Sequence, residues 1–124
     1  MSSGQEHEQA PILDSEVVAG LRELGGSDDP GLVAELVDLF LEDAPKYVGE
    51  INGGLESGEL DRVLRASHTL KSSSANMGAA SLSALASSIE FSAKSGNVDL
   101  LRELQCAMGG VYQETVDALN GLKH

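Results

Sequence analysis

The sequence contains no tryptophan, two phenylalanines and two tyrosines. A core built from it must therefore rest on aliphatic side chains, and the abundance of Leu and Ala favours packed helices. With a single cysteine, Cys106, no internal disulfide is possible. Cys106 lies inside an apolar periodic stretch, which predicts a small buried hydrophobe in a reducing cytoplasm. Cations are scarce: eight Lys and Arg stand against twenty Asp and Glu, for a net charge of −12. Nucleic acid and anionic membrane are thereby excluded as expected partners, because counterion release needs clustered Lys and Arg. No apolar run is long enough to cross a bilayer, and the opening MSSGQEHEQAP has neither a basic region nor an apolar one, so a soluble, unexported protein is expected. No segment alternates with period two for long enough to predict a strand.

What is present is helical periodicity with clear punctuation. A chain of 124 residues fits one domain. Residues 1–13, with His7 among them, carry no period and read as a disordered or loosely docked tail; residues 14–124 read as the folded domain. Asp14 or Ser15 caps a short helix bearing Val17, Val18, Leu21 and Leu24, which Gly25-Gly26 stops. Asp29-Pro30 places a capping residue before a proline at the first helical position and starts a second helix. Its apolar set (Leu32, Val33, Leu36, Leu39, Phe40, Val48, Ile51, Leu55) runs to Gly58, with a kink expected near Ala44 from Pro45. A third helix runs from about Glu59 to Met77 and buries Leu60, Val63, Ser67, Leu70, Ser74 and Met77 before Gly78 ends it. A fourth covers Ala80 to Ser95 with Leu82, Leu85, Ala86, Ile89 and Ala93 inward. Asn97 caps a fifth, which carries Val98, Leu101, Leu104, Met108, Val111, Thr115 and Leu119, tolerates a bend at Gly109-Gly110 and closes at Gly121. Short connections imply antiparallel neighbours. The expected fold is all-α: an antiparallel up-and-down four-helix bundle with a short accessory N-terminal helix.

The third helix has an unusual outer face. At about 100° per residue, His68 points about 130° away from the centre of its apolar stripe and is therefore exposed. Asp61, Leu64, Arg65, Ser72 and Ala75 share that face, with Lys71 slightly to the side. A lone solvated histidine would mean nothing. A phosphoryl group on a histidine nitrogen, however, needs three things: an unprotonated nitrogen, a partner for the other ring nitrogen that fixes the tautomer, and a cation against nearly two added negative charges. Lys71, three residues on, supplies a cation within one turn. Ser72-Ser73-Ser74 falls inside the helical period and reads as thin helix surface, which lets a neighbouring helix and a partner come close.

The stretch Ser67-His68-Thr69-Leu70-Lys71-Ser72-Ser73-Ser74-Ala75-Asn76-Met77-Gly78 resembles the signature of histidine-containing phosphotransfer (HPt) domains, roughly A-H-x-L-K-G-x-x-x-x-x-G. A weaker resemblance runs from about Leu21 to Leu119. It implies a phosphorelay intermediate in which His68 accepts the phosphoryl group, Lys71 stabilises it and Glu90 hydrogen-bonds the far nitrogen of His68. Donor and acceptor would be response-regulator receiver domains and a hybrid sensor kinase, and the receiver would supply the Mg2+; no cofactor and no metal site are expected on this chain. The family's usual Gly after the Lys is Ser72 here.

Partner contact is expected around His68, with Leu64 and Ala75 giving apolar contact, Arg65 and Lys71 polar contact, and Ser72 lying within the same partner-binding face. The chain has no G-x-x-x-x-G-K-[ST] loop and no second domain for ATP, so a phosphocarrier is expected in place of a kinase, working as a free-standing cytoplasmic monomer. The alternative is a non-phosphorylated helical module that docks receiver or kinase domains. A metal-holding bundle would need inward Glu-x-x-His pairs, and Arg65 stands where that Glu would be.

Overall fold

The structure is a computed structural model and describes residues 10–123. Five helices follow one another: α1 (Ser15–Gly25), α2 (Leu32–Ser57), α3 (Leu60–Asn76), α4 (Ala80–Lys94) and α5 (Val98–Gly121). Two residues join α2 to α3 and three residues join each later pair, which forces antiparallel neighbours. Helices α2 to α5 each pack on the next, and α5 returns to α2 to close the bundle, with Gln105 Nε2 donating to Asn52 Oδ1 at 3.1 Å. The short α1 packs on α2 as the accessory helix.

The core is aliphatic, as the composition demands. Val37, Phe40, Ala44 and Ile51 of α2 meet Val63 and Leu70 of α3, Leu82, Ala86 and Ile89 of α4, and Leu101, Met108 and Leu119 of α5. Each fully buried Leu or Ile contributes about 1.5–3 kcal/mol relative to exposure. Ser67 and Ser74 are also fully buried on α3, so small side chains there let α4 approach closely, whereas Ser72 is exposed. The serine run is thus divided between a helix contact and a free surface.

The punctuation acts through specific hydrogen bonds. Asp14 caps α1 by accepting from the N–H groups of Glu16 (3.0 Å) and Val17 (3.4 Å), and Asn97 caps α5 by accepting from Leu100 N–H (3.1 Å). At the end of α3, Gly78 takes φ +75°, and the N–H groups of Gly78 and Ala79 donate to the carbonyls of Ala75 (3.0 Å) and Ser74 (2.8 Å). That left-handed turn points the chain back into α4.

Several expectations need correction. Cys106 is exposed. At about 100° per residue it lies some 140° around α5 from Leu101, so apolar neighbours in sequence do not place it inside. Leu39 (58% exposed) is turned about 100° from Phe40, off the stripe that meets the other helices. Leu24 (74% exposed) lies on a helix with one main neighbour to cover it. The helix α2 begins at Leu32 after a turn in which Leu32 N–H donates to the Asp29 carbonyl, so Pro30 is in that turn and not at the first helical position. Pro45, by contrast, does not divide α2, in keeping with the expected helix that runs on past it. Of the expected tail, residues 1–9, including His7, lie outside the described residues. Residues 10–13 are docked: Ser81 N–H donates to the Pro11 carbonyl (2.8 Å), and Leu13 packs against the core.

Candidate functional site

Helix α3 carries its apolar and small residues toward the bundle, which leaves His68 on the outside with 62% of its side chain exposed. Helix α4 runs antiparallel beside it and aims one carboxylate across the seam. His68 Nδ1 lies 2.8 Å from Glu90 Oε2, and Lys71 Nζ donates to Glu90 Oε1 at 2.7 Å. Only 12% of the Glu90 side chain is exposed, so its two oxygens are divided between the two basic groups. Ser83, two turns before Glu90 on the same face of α4, donates to the Lys71 carbonyl at 2.9 Å and fastens the next turn of α3 to α4.

The electrostatics follow from this pairing. The Lys71 ammonium holds the Glu90 carboxyl below the ordinary carboxylate value, against burial pushing it up and with the His68 hydrogen bond helping. An ionised carboxylate can only accept, so the proton of the His68–Glu90 bond is on Nδ1. In the neutral imidazole Nε2 is then the nitrogen with the free lone pair. Such an arrangement suits nucleophilic attack by Nε2 on an electrophile brought from outside.

The sequence-derived set comes together in space. His68, Lys71 and Glu90 form one connected group, and Leu64, Arg65, Ser72 and Ala75 border it on α3, with Arg65, Ser72 and Ala75 exposed and Leu64 half-buried. Lys71 is bonded to Glu90, a contact that sequence spacing does not reveal. Sequence reading also missed the groove beyond Lys71. This hollow of about 400 Å³ is lined by Lys71 and Ala75 of α3, Ala80, Ser83, Ala84 and Ser87 of α4, Gly78, and Asp14 and Val17 at the start of α1. The signal in sequence was the row of small residues on one face of α4. On the other side of His68, Arg62 is occupied: it donates to Glu50 at 2.9 and 3.1 Å and to Glu59 at 3.4 Å. Among the described residues no group of three or more His, Cys, Asp or Glu could hold a metal ion, and no helix is long and apolar enough to cross a membrane.

An all-helical bundle with an exposed imidazole backed by a carboxylate defines a histidine phosphotransfer architecture, and comparison with known proteins agrees. The family model described as the Hpt domain matches residues 35–121, and the chain belongs to the Hpt family. HptB, a histidine-containing phosphotransfer protein from Pseudomonas aeruginosa PAO1, is similar in structure with a TM-score of 0.77 and 25% identity, covering 93% of this chain and 96% of that one. A rice protein assigned as a histidine-containing phosphotransfer protein is similar with a TM-score of 0.77 and 26% identity, covering 90% of this chain and 80% of that one. A comparison with curated protein sequences found no match. Membership of this family gives the chain a phosphotransfer role in a phosphorelay.

Proposed function

We propose that Nε2 of His68 is the atom that carries the phosphoryl group, received from an aspartyl phosphate on a receiver domain or hybrid kinase and passed to the aspartate of another receiver. The observation that carries this reading is the 2.8 Å contact between Nδ1 and Glu90, which in the neutral imidazole puts the proton on Nδ1 and the lone pair on Nε2, on a ring that is 62% exposed. On receipt, the Nε2 lone pair forms a P–N bond as the P–O bond to the donor aspartate breaks and that aspartate leaves as a carboxylate. The Nδ1 proton stays on the ring, and Glu90 balances the imidazolium charge. Transfer to the acceptor reverses these bond changes. Lys71, next to Glu90, keeps the carboxylate ionised and adds positive charge beside the phosphoryl group. The receiver brings Mg2+ and its own carboxylates. Leu64, Arg65, Ser72 and Ala75 form the surface that meets it.

A receiver charged with acetyl phosphate and Mg2+, mixed with this protein, is expected to label it with acid-labile, base-stable phosphate. The His68→Gln variant should take none. Label that survives in that variant would sink the assignment. Receiver binding without label on the wild type would instead leave a docking module.

A further inference from the structure

Phosphorylation of His68 adds close to two negative charges to a protein that already carries −12. The nearest cation in sequence, Lys71, is engaged: its Nζ is 2.7 Å from Glu90 Oε1, with only a third of the side chain exposed (33%). Releasing it fully to a phosphate would strip a nearly buried carboxylate of its counter-charge, at a cost that offsets much of the gain. Arg62, the next cation along α3, is held by Glu50 and Glu59. Arg65 differs from both. It lies three residues before His68 on the same helix and is exposed; among the described residues its side chain makes no hydrogen bond and no close ion pair, although, after the Arg62 hydrogen bond, its charge helps hold the Glu50 carboxyl below its ordinary value from across the groove. It borders a shallow groove of about 190 Å³ with Tyr47, Glu50, Arg62, Ala66 and Thr69, and the carboxylate there is already taken by Arg62.

Helix geometry brings Arg65 into range. Residues three apart have Cβ atoms about 5–6 Å from each other. Side chains on a helix lean toward its N-terminus, so the His68 ring covers the turn that carries Arg65, while Arg65 itself borders the groove with Glu50 and Arg62 and rotates back to reach the ring. Viewed down α3 at about 100° per residue, Arg65 and Lys71 lie about 60° to either side of His68. Glu90 draws Nδ1 toward the Lys71 side, and Nε2 is the nitrogen left for the other. A guanidinium presents two parallel N–H donors that match two phosphoryl oxygens, which an ammonium cannot do. Lys94, the other unpaired cation near the site, extends from the last turn of α4, one turn beyond Glu90, and has no such fork.

We propose that Arg65 is a catalytic residue of this protein: its guanidinium bonds the phosphoryl group on Nε2 of His68 and stabilises the phosphorylated state. The proposal rests on His68 being the phosphoryl acceptor. In it, Lys71 and Arg65 divide the work. Lys71 remains with Glu90 and sets the ring, while Arg65, which holds no hydrogen bond in the resting protein, takes one once the phosphoryl group arrives.

The test is the equilibrium of phosphoryl exchange between a charged receiver and this protein, read for wild type, Arg65→Gln, Arg65→Lys and Lys94→Gln, with the 31P shift of each phosphorylated form. Arg65 is exposed, so thermal melts should coincide. Arg65→Gln is expected to move the equilibrium about three- to tenfold toward the receiver and to shift the 31P resonance. Arg65→Lys should recover part of the loss, and Lys94→Gln should change it less than about twofold. An equilibrium unmoved by Arg65→Gln, with forward and reverse rates slowed equally, makes Arg65 a docking residue and overturns the contact. Equal shifts for Arg65→Gln and Lys94→Gln overturn it in favour of a diffuse field. Absence of label on wild-type His68 overturns the acceptor reading together with this one, whereas label on the wild type with no Arg65 effect overturns this one alone.

Discussion

Glu90 answers two basic groups with one carboxylate, and both its position and its ionisation depend on them. Lys71, with help from His68, holds its carboxyl below the ordinary value of 4.5. Because the folded value lies beneath that of the unfolded chain, the stabilisation is complete above the unfolded value and is lost as pH falls through the folded one. Urea unfolding of wild type and Glu90→Gln should differ by about 1.5–3 kcal/mol at neutral pH, the range for hydrogen bonds to charged groups. That difference should hold down to about pH 5 and shrink below about 4.5. A difference that stays constant to pH 3 would contradict the pairing. His68 and Lys71 were readable from sequence because three-residue spacing on one helix fixes their proximity. That Glu90 is nearly buried and bonds Lys71 as well as His68 depends on the register between α3 and α4, which no single-helix period encodes. Cys106 failed for the opposite reason, since its apolar sequence neighbours said nothing about its angle around α5.

Helix ends were the most readable elements, because a capping side chain and a left-handed glycine act locally. Asp14, Asn97 and Gly78 each sit where the sequence predicts an end. Less was readable about how α1 attaches, since backbone groups do the work. Asp14 N–H donates to the Gly78 carbonyl at 2.6 Å, and Ser81 N–H to that of Pro11, and no side-chain pattern announces either bond. Gly78 therefore joins two tasks: it ends α3 at φ +75°, and it leaves room for α1. A Cβ there would lie 3.2 Å from Val17 Cβ and 3.3 Å from the Asp14 carbonyl oxygen. Gly78→Ala thus combines a left-handed alanine with a tight contact against backbone, and should cost about 1–3 kcal/mol. Denaturant melts would register the loss, and hydrogen exchange should quicken first in α1 and at residues 10–14. Unchanged protection in α1 would mean that this junction does not hold it. The same junction shapes the groove beside Lys71, so a helix outside the matched region 35–121 borders the face where a partner is proposed to dock.

At the scale of the whole molecule, charge works against the fold and for the site. Of the eight cations, Lys46, Arg62, Lys71 and Lys123 are paired with carboxylates, so among the described residues most acidic groups have no close cationic partner. A net charge of −12 on a bundle this small favours expansion through self-repulsion. Two of the remaining cations, Arg65 and Lys94, lie within a turn of His68 and Glu90 along their own helices, a local exception on an acidic surface. Salt separates the two opposed contributions to stability. If surface ion pairs dominated, screening them would lower the melting temperature; if self-repulsion dominates, screening it raises the melting temperature. Exposed pairs are worth about 0–1 kcal/mol each, whereas repulsion acts over all the unpaired carboxylates at once. Raising NaCl from about 10 mM to about 150 mM shortens the screening length from about 30 Å to about 8 Å, less than the bundle's width. Calorimetry across that range should therefore show the melting temperature rising by about 2–5 °C, equivalent to roughly 1 kcal/mol for a domain of this size. A fall would show that the few ion pairs outweigh the excess of acid.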